Sequence, residues 1–246
     1  MVHLGDRFAA LDKPAGLSLA TPPSAPADQA ARRLVAALPA GEREMLAPRE
    51  LRLVHRLDAP TSGLVLIALD AEIHRELATA FAERRVTKLY LALVWGKPRP
   101  RRGSFRSALG PDRADRRRMR PDPHGRAART DYLVVDAAAH VALVALWPRT
   151  GRTHQLRVHL AAAGHPIVGD DLYGGPRHRG VRDAALRSAL DPGRALLHAW
   201  RLEVPGLEPA RFEAPPPDDF RGALAATGLS LAGASDLWQA PPQSST

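Results

Sequence analysis

Cysteine is absent from this chain of 246 residues. A disulfide-stapled secreted scaffold, a thiolate nucleophile and a Cys-based zinc finger are therefore excluded. Lysine is almost missing as well: Lys13, Lys88 and Lys97 are the only lysines among 35 basic residues, which leaves 32 arginines. Long hydrophobic runs are also lacking. Unbroken apolar runs such as residues 64–69 and 89–95 fall far short of the ~20 residues that cross a bilayer. The first seven residues do not have the shape of an export signal, no internal repeat is found, and no linker divides the chain. With 45% hydrophobic and 25% charged residues, what remains is an ordinary globular composition of one or two domains. The expectation is a soluble, cytoplasmic protein with no membrane partner.

The charge that is present is concentrated. Residues 97–129 hold twelve basic and three acidic residues, which equals the whole net charge of +9, so the rest of the chain is balanced. An Arg/Pro/Gly-rich composition makes this segment a long hairpin or a flexible insertion. Arginine matches phosphate bidentately, and a basic field on a neutral body is the electrostatic footprint of a nucleic-acid binder. Drift in an Arg-rich, Ala-rich, Pro-rich proteome would give the same composition without that function.

Hydropathy patterning predicts alternating strands and helices. Residues 8–12 read as a strand running into a Pro/Gly turn at 13–16, and residues 28–38 as a helix stopped by Pro39. Strands are expected at 51–54 and 64–69, the second a continuous apolar run of the kind covered on both faces. Asp70 is placed to cap a helix over 71–84. In residues 87–95 Leu89, Leu91, Leu93 and Trp95 lie on one side and Tyr90, Ala92 and Val94 on the other. Strands follow near 130–135 and 141–147, then a helix after a turn at 150–152, with Thr153 as its cap and Gly164 and Pro166 at its end. Late strands are expected at 196–204 and 210–214 and a closing helix at 218–227. Together these predict one α+β domain over residues 1–232, with a flexible tail at 233–246.

The most informative stretch is HRLDAPTSG, residues 55–63. It joins two core strands and carries an acid and an arginine two apart, then small hydroxyl residues and glycine. Catalytic groups are commonly mounted on such loops. An Asx-turn, with Asp58 bonded to nearby main chain, is the structural alternative.

Extended to HRLDAPTSGLVLIAL, this stretch resembles the catalytic motif of the RluA-type RNA pseudouridine synthases. Four further elements are similar to that family's and stand in its order: FAALDKPAGL at 8–17, KLYLA at 88–92 with Gly96, TGRTHQLRVH at 150–159 followed by GHPIVGDDLYG at 164–174, and LLHAWRLEV at 196–204. The resemblance implies a catalytic domain with a central mixed, largely antiparallel sheet split by an active-site cleft and flanked by helices. No S4-type RNA-binding domain is expected in front of it. It also implies isomerisation of uridine in structured RNA, ribosomal or transfer, to pseudouridine, with no cofactor. In that reaction uracil leaves C1′ of its ribose, turns, and rejoins through C5.

By position in the motifs, Asp58 is implied as the essential carboxylate, acting at the sugar either by adding to it or by removing a proton. Arg157 is implied as the guanidinium that keeps Asp58 ionised against the effect of burial. Tyr90 would stack on the uracil, and Arg56 would fill the gap left by the flipped nucleotide. RNA contacts are expected from His55, Thr61, Arg152 and His154, and from Arg116, Arg117 and Arg118 in the basic segment.

No metal site is expected. His154 and His159, five apart on a helix, lie on different faces, and the Asp170–Asp171 pair lacks the ligand count of a calcium loop. The turn at 13–16 lacks the spacing of a phosphate loop and is read as support for the cleft. Two rival functions remain. One is a non-catalytic RNA-binding or ribosome-assembly protein on the same scaffold, against which Asp58, Tyr90 and Arg157 together argue. The other is a carboxylate glycosidase, which needs a second acid that the motif does not offer.

Overall fold

A computed structural model describes residues 1–238 apart from Pro176 and Ser235. The chain divides into two compact units, Met1–Thr87 with Ala199–Pro215, and Lys88–His198 with Pro216–Thr246. The first 87 residues form β1 (His3–Leu4), β2 (Phe8–Lys13), α1 (Gln29–Ala36), α2 (Ala40–Leu46), β3 (Arg52–Leu53), β4 (Ser62–Ala68) and α3 (Ala71–Ala82). Next come β5 (Thr87–Trp95), β6 (Arg102–Pro111), β7 (Met119–Pro121), β8 (Arg126–Ala137), β9 (Val141–Pro148), α4 (Gln155–Ala162) and α5 (Ala184–Ala189). The chain ends with β10 (Leu197–Glu203), β11 (Arg211–Glu213) and α6 (Asp218–Thr227). The boundary between the units falls inside β10.

In the first unit β2 pairs antiparallel with β4 over six residues, from Phe8 opposite Ala68 to Lys13 opposite Gly63. Every residue of β4 is buried, as its unbroken apolar run predicts. Helix α3 starts where Asp70 accepts the amide of Ile73 at 2.8 Å. It lays Ile73, Leu77 and Ala80 on a core shared with Phe8, Leu64, Leu66, Leu202 and Phe212. The helix expected to end at Pro39 stops at Ala36, and Pro39 instead precedes α2, which the pattern did not reveal. Proline lacks only the N–H that a helix start leaves unused.

Gly63 opens β4 with φ +110°, and a Cβ there would lie 2.2 Å from the carbonyl oxygen of Ala199. Both facts demand glycine. Gly63→Ala is therefore expected to destabilise by at least about 1–3 kcal/mol, the usual range for overpacking, which a urea unfolding midpoint would show.

In the second unit β5, β9, β8, β6 and β7 are neighbours in that order, and each registered pair among them is antiparallel. Strand β9 is buried from Val141 to Trp147. The basic segment is the hairpin expected of it: β6 and β8 pair from Arg102 opposite Leu133 to Leu109 opposite Arg126, and β7 folds back on β6. Cross-strand partners share a face, so Tyr90, Leu146, Tyr132 and Gly103 line one side of this sheet.

Helix α4 begins one residue later than the expected Thr153 cap. His154 holds the N-cap position in the left-handed region, φ 54°, and makes no capping bond with its side chain. Thr150, from the preceding turn, donates to the Gln155 side-chain oxygen (2.6 Å), which also accepts the amide of Arg152. The closing helix α6 has the expected bounds. The tail expected from residue 233 begins in a 3₁₀ turn over Ala232–Ala234, with Ala234 fully buried. Its part from 239 on lies outside the described residues. Among the described residues no helix is long and apolar enough to cross a membrane.

Candidate active site

Asp58 sits half-buried on the loop between β3 and β4, and main-chain bonds set the shape of that loop. The amide of Thr61 donates to the Asp58 carbonyl at 3.1 Å, closing a turn over Ala59 and Pro60. The amide of Gly16 donates to the Ala59 carbonyl at 2.7 Å, tying this loop to the turn at 13–16. The ammonium of Lys13, wholly buried, spans both loops, donating to the carbonyls of Pro14 (2.8 Å), Leu17 (3.0 Å) and Ala59 (3.3 Å). A buried cation needs such partners, and here they fasten the Asp58 loop to the end of β2. The turn at 13–16 thus acts as a support.

Two residues expected at the RNA belong to that support as well. Thr61 is buried. His55 stacks on Phe81 of α3, ring centroids 4.6 Å apart, and its Nε2 accepts the amide of Leu66 in β4 at 3.1 Å. Between them Arg56 is exposed. The loop therefore presents Arg56 and Asp58 while His55, Leu57 and Thr61 point into the body of their unit.

In the second unit Tyr90 is half-buried while Leu89 and Leu91 beside it are fully buried, as the alternation predicts. Arg157, on the first turns of α4, is buried and forms a bidentate pair with Asp170. Its Nε and Nη2 donate to the two carboxylate oxygens at 2.7 and 2.8 Å, and the side chains are only 6% and 1% exposed. Sequence reasoning set Asp170 aside as part of an inadequate cation loop. A signal was nevertheless available. A charged residue on a buried helix face requires an opposite charge, and Asp170 and Asp171 are the only acids between residues 137 and 182.

His154, Arg157 and Arg118 are brought together around Tyr173, which the sequence reading also left unused. The phenol oxygen lies 2.8 Å from Nδ1 of His154 and accepts the amide of Met119 at 2.8 Å. The guanidinium carbons of Arg118 and Arg157 lie 5.3 and 5.0 Å from the ring centre. Burial pushes the Tyr173 phenol above its ordinary range, so it is protonated at neutral pH. Arg117 is engaged locally: it chelates Asp115 and holds that carboxyl down to about 2. Arg116 is exposed at the same turn, and Arg152 donates from Nε to the carbonyl of Ala127 at 3.1 Å. On the other face of the hairpin, Asp131 takes bonds from Ser104, Arg129 and Arg149.

His159 is structural. Its Nδ1 lies 2.9 Å from Thr130 Oγ1, and burial, partly offset by the Ser107 main chain, lowers its pKa below the ordinary 6.5. The unfolded chain then takes up a proton that the folded one resists. The contribution of neutral His159 is thus full above about pH 6.5 and is lost as pH falls through the folded value. Stability should decline over that window, and His159→Asn should flatten the decline, read as urea midpoint against pH. Among the described residues no group of three or more His, Cys, Asp or Glu is arranged to hold a metal ion.

The sequence profile described as RNA pseudouridylate synthase matches residues 7–162. An uncharacterized RNA pseudouridine synthase of Chloroflexus aurantiacus is 39% identical over 218 residues, 87% of this chain and 64% of that protein. The dual-specificity RNA pseudouridine synthase RluA of Escherichia coli K12 is 44% identical over 153 residues, 61% of this chain and 65% of that protein. The chain thus spans somewhat under two thirds of these relatives' length. Among solved structures, human RNA pseudouridylate synthase domain containing 4 superposes with a TM-score of 0.72 at 26% identity, covering 93% of each chain. Human RNA pseudouridylate synthase domain containing 1 gives 0.69 at 30% identity, covering 92% of this chain and 86% of its own.

Proposed function

The chain belongs to the RNA pseudouridylate synthase family, and from that premise we propose that it isomerises specific uridines in structured RNA, ribosomal or transfer, to pseudouridine in the cytoplasm. The C1′–N1 bond breaks, the uracil turns, and a C1′–C5 bond forms. C5 gives up its proton and N1 gains one, so the reaction is balanced within one nucleotide and needs no co-reactant.

Asp58 is the carboxylate that serves the anomeric carbon. Arg157 is the guanidinium that keeps it ionised when the nucleotide covers it, and Tyr90 is the ring that stacks on the uracil. A base inside a stack is out of reach, so the nucleotide is flipped out at a cost of a few kcal/mol. Arg56, planar and exposed beside Asp58, takes the vacated place. The observation that carries this reading is the fixing of the Asp58 loop by Lys13 and by the Gly16–Ala59 bond. These bonds fix the main chain of the loop that carries Asp58. The test is a map of pseudouridines across the RNA of strains with and without the gene. At least one site is expected to vanish and to return on complementation, and an unchanged map would refute the proposal.

The basic hairpin grips phosphates through residues such as Arg116, and Arg152 and His154 at the start of α4 add to the RNA contacts. RNA binding should then weaken steeply with salt, because each neutralised phosphate releases counterions. Exchanging exposed Arg113, Arg116 and Arg126 together for alanine should lower the log–log slope by about 2. An unaltered slope in a fluorescence-anisotropy titration would place the RNA path elsewhere.

A further inference from the structure

Tyr173 has no part in the reaction just proposed, yet it joins the two regions on which that reaction depends. Its hydroxyl accepts the amide of Met119, the first residue of β7. That residue stands next to the turn that carries Arg116, Arg117 and Arg118. The same hydroxyl meets Nδ1 of His154, the residue held at φ 54° at the start of α4. A non-glycine residue in that region persists only when its surroundings hold it there. The His154 side chain does not cap the helix and is turned to Tyr173 instead.

The ring of Tyr173 lies within about 5 Å of the guanidinium carbons of Arg157 and Arg118. Asp170 completes the unit. Its carboxylate takes Arg157, and its carbonyl takes the amides of Tyr173 (3.2 Å) and Gly174 (2.7 Å), forming the turn that aims the ring. Below it, Met119 and Tyr173 pack on Leu109 and Ala128 of the hairpin and Val158 of α4. One side chain thus contacts hairpin main chain, the helix start and the buried guanidinium at once.

We propose that Tyr173 is a positioning residue that couples the Arg-rich hairpin to Arg157. Through its hydroxyl it sets the hairpin against the start of α4, and through its ring it sets the guanidinium. The proposal rests on the reading that Arg157 serves the reaction and that the hairpin meets RNA. Its two halves are separable. Tyr173→Phe keeps the ring and deletes both hydroxyl bonds, whereas Tyr173→Ala removes everything.

With C5-tritiated bulk RNA from a strain lacking the gene, Tyr173→Phe should raise KM about 3- to 10-fold, the equivalent of one or two hydrogen bonds, and leave kcat within about twofold. Tyr173→Ala should raise KM similarly and also lower kcat at least about tenfold. A purely structural tyrosine would reduce the amount of active enzyme, lowering kcat in both variants at constant KM, and that pattern overturns the proposal.

Hydrogen exchange on the protein without RNA supplies a readout that needs no activity. Tyr173→Phe should speed exchange in residues 112–122 while α4 keeps its protection. Unchanged exchange there overturns the coupling even if the enzyme is active. Absence of label release from wild type would instead strike the functional reading, with the exchange result still deciding the coupling.

Discussion

Asp58→Ala is expected to cut the release of tritium from C5-labelled uridine in RNA by at least about a thousandfold, the scale on which loss of an essential catalytic group is felt. Asp58→Asn, which keeps the shape and discards the charge, should do nearly as badly. The loop should survive both changes, because the bonds that shape it use the carbonyls of Asp58 and Ala59 and the amides of Gly16 and Thr61. A thermal unfolding midpoint measured on both variants separates loss of rate from loss of fold. Label release equal to that of wild type would mean that the chemistry does not pass through this carboxylate. The same assay separates the rivals. An RNA-binding protein without catalysis releases nothing even as wild type, and a glycosidase would act on small sugars with no RNA present.

Asp170→Ala is expected to destabilise the fold by about 3–5 kcal/mol, because it removes one partner of a buried, bidentate ion pair. Combining Asp170→Ala with Arg157→Met should restore much of the lost stability, since a buried pair replaced by apolar side chains is often neutral. The double variant should nonetheless stay inactive. Stability and catalysis would then part company, with the first recovered and the second not. A urea midpoint for Asp170→Ala within experimental error of wild type would show that the pair does not hold Arg157.

Much of the fold was legible because its signals are local. The unbroken apolar run of β4, the Asp70 cap and the alternation along β5 each report on their own few residues, and these elements formed as expected. The short helix α2 was hidden because Pro39 reads as a stop for one helix as readily as a start for the next. The start of α4 lies one residue beyond the expected one because His154 takes the left-handed region at the N-cap position, a conformation that no local sequence signal announces.

At the site, Asp58 and Arg56 were legible through their motif, but what surrounds them was not. His55 and Thr61 look like polar loop residues in sequence, and only the packing of α3 against β4 turns them inward. Asp170 and Tyr173 escaped notice for a related reason. Their partners lie 13 residues away on α4 and about 55 away on β7, separations at which no short pattern reports contact.

The fastening of the Asp58 loop by Lys13 has an evolutionary corollary. The acceptors that Pro14, Leu17 and Ala59 offer the ammonium are peptide oxygens, which every residue possesses, so these three carry no side-chain obligation towards it. In a saturation mutagenesis screen for function, Ala15 and Ala59 should accept a broad set of replacements while Lys13 accepts almost none. The tolerance profile across residues 13–17 would then show two points of intolerance, Lys13 and Gly16, the second because its φ of +85° favours glycine.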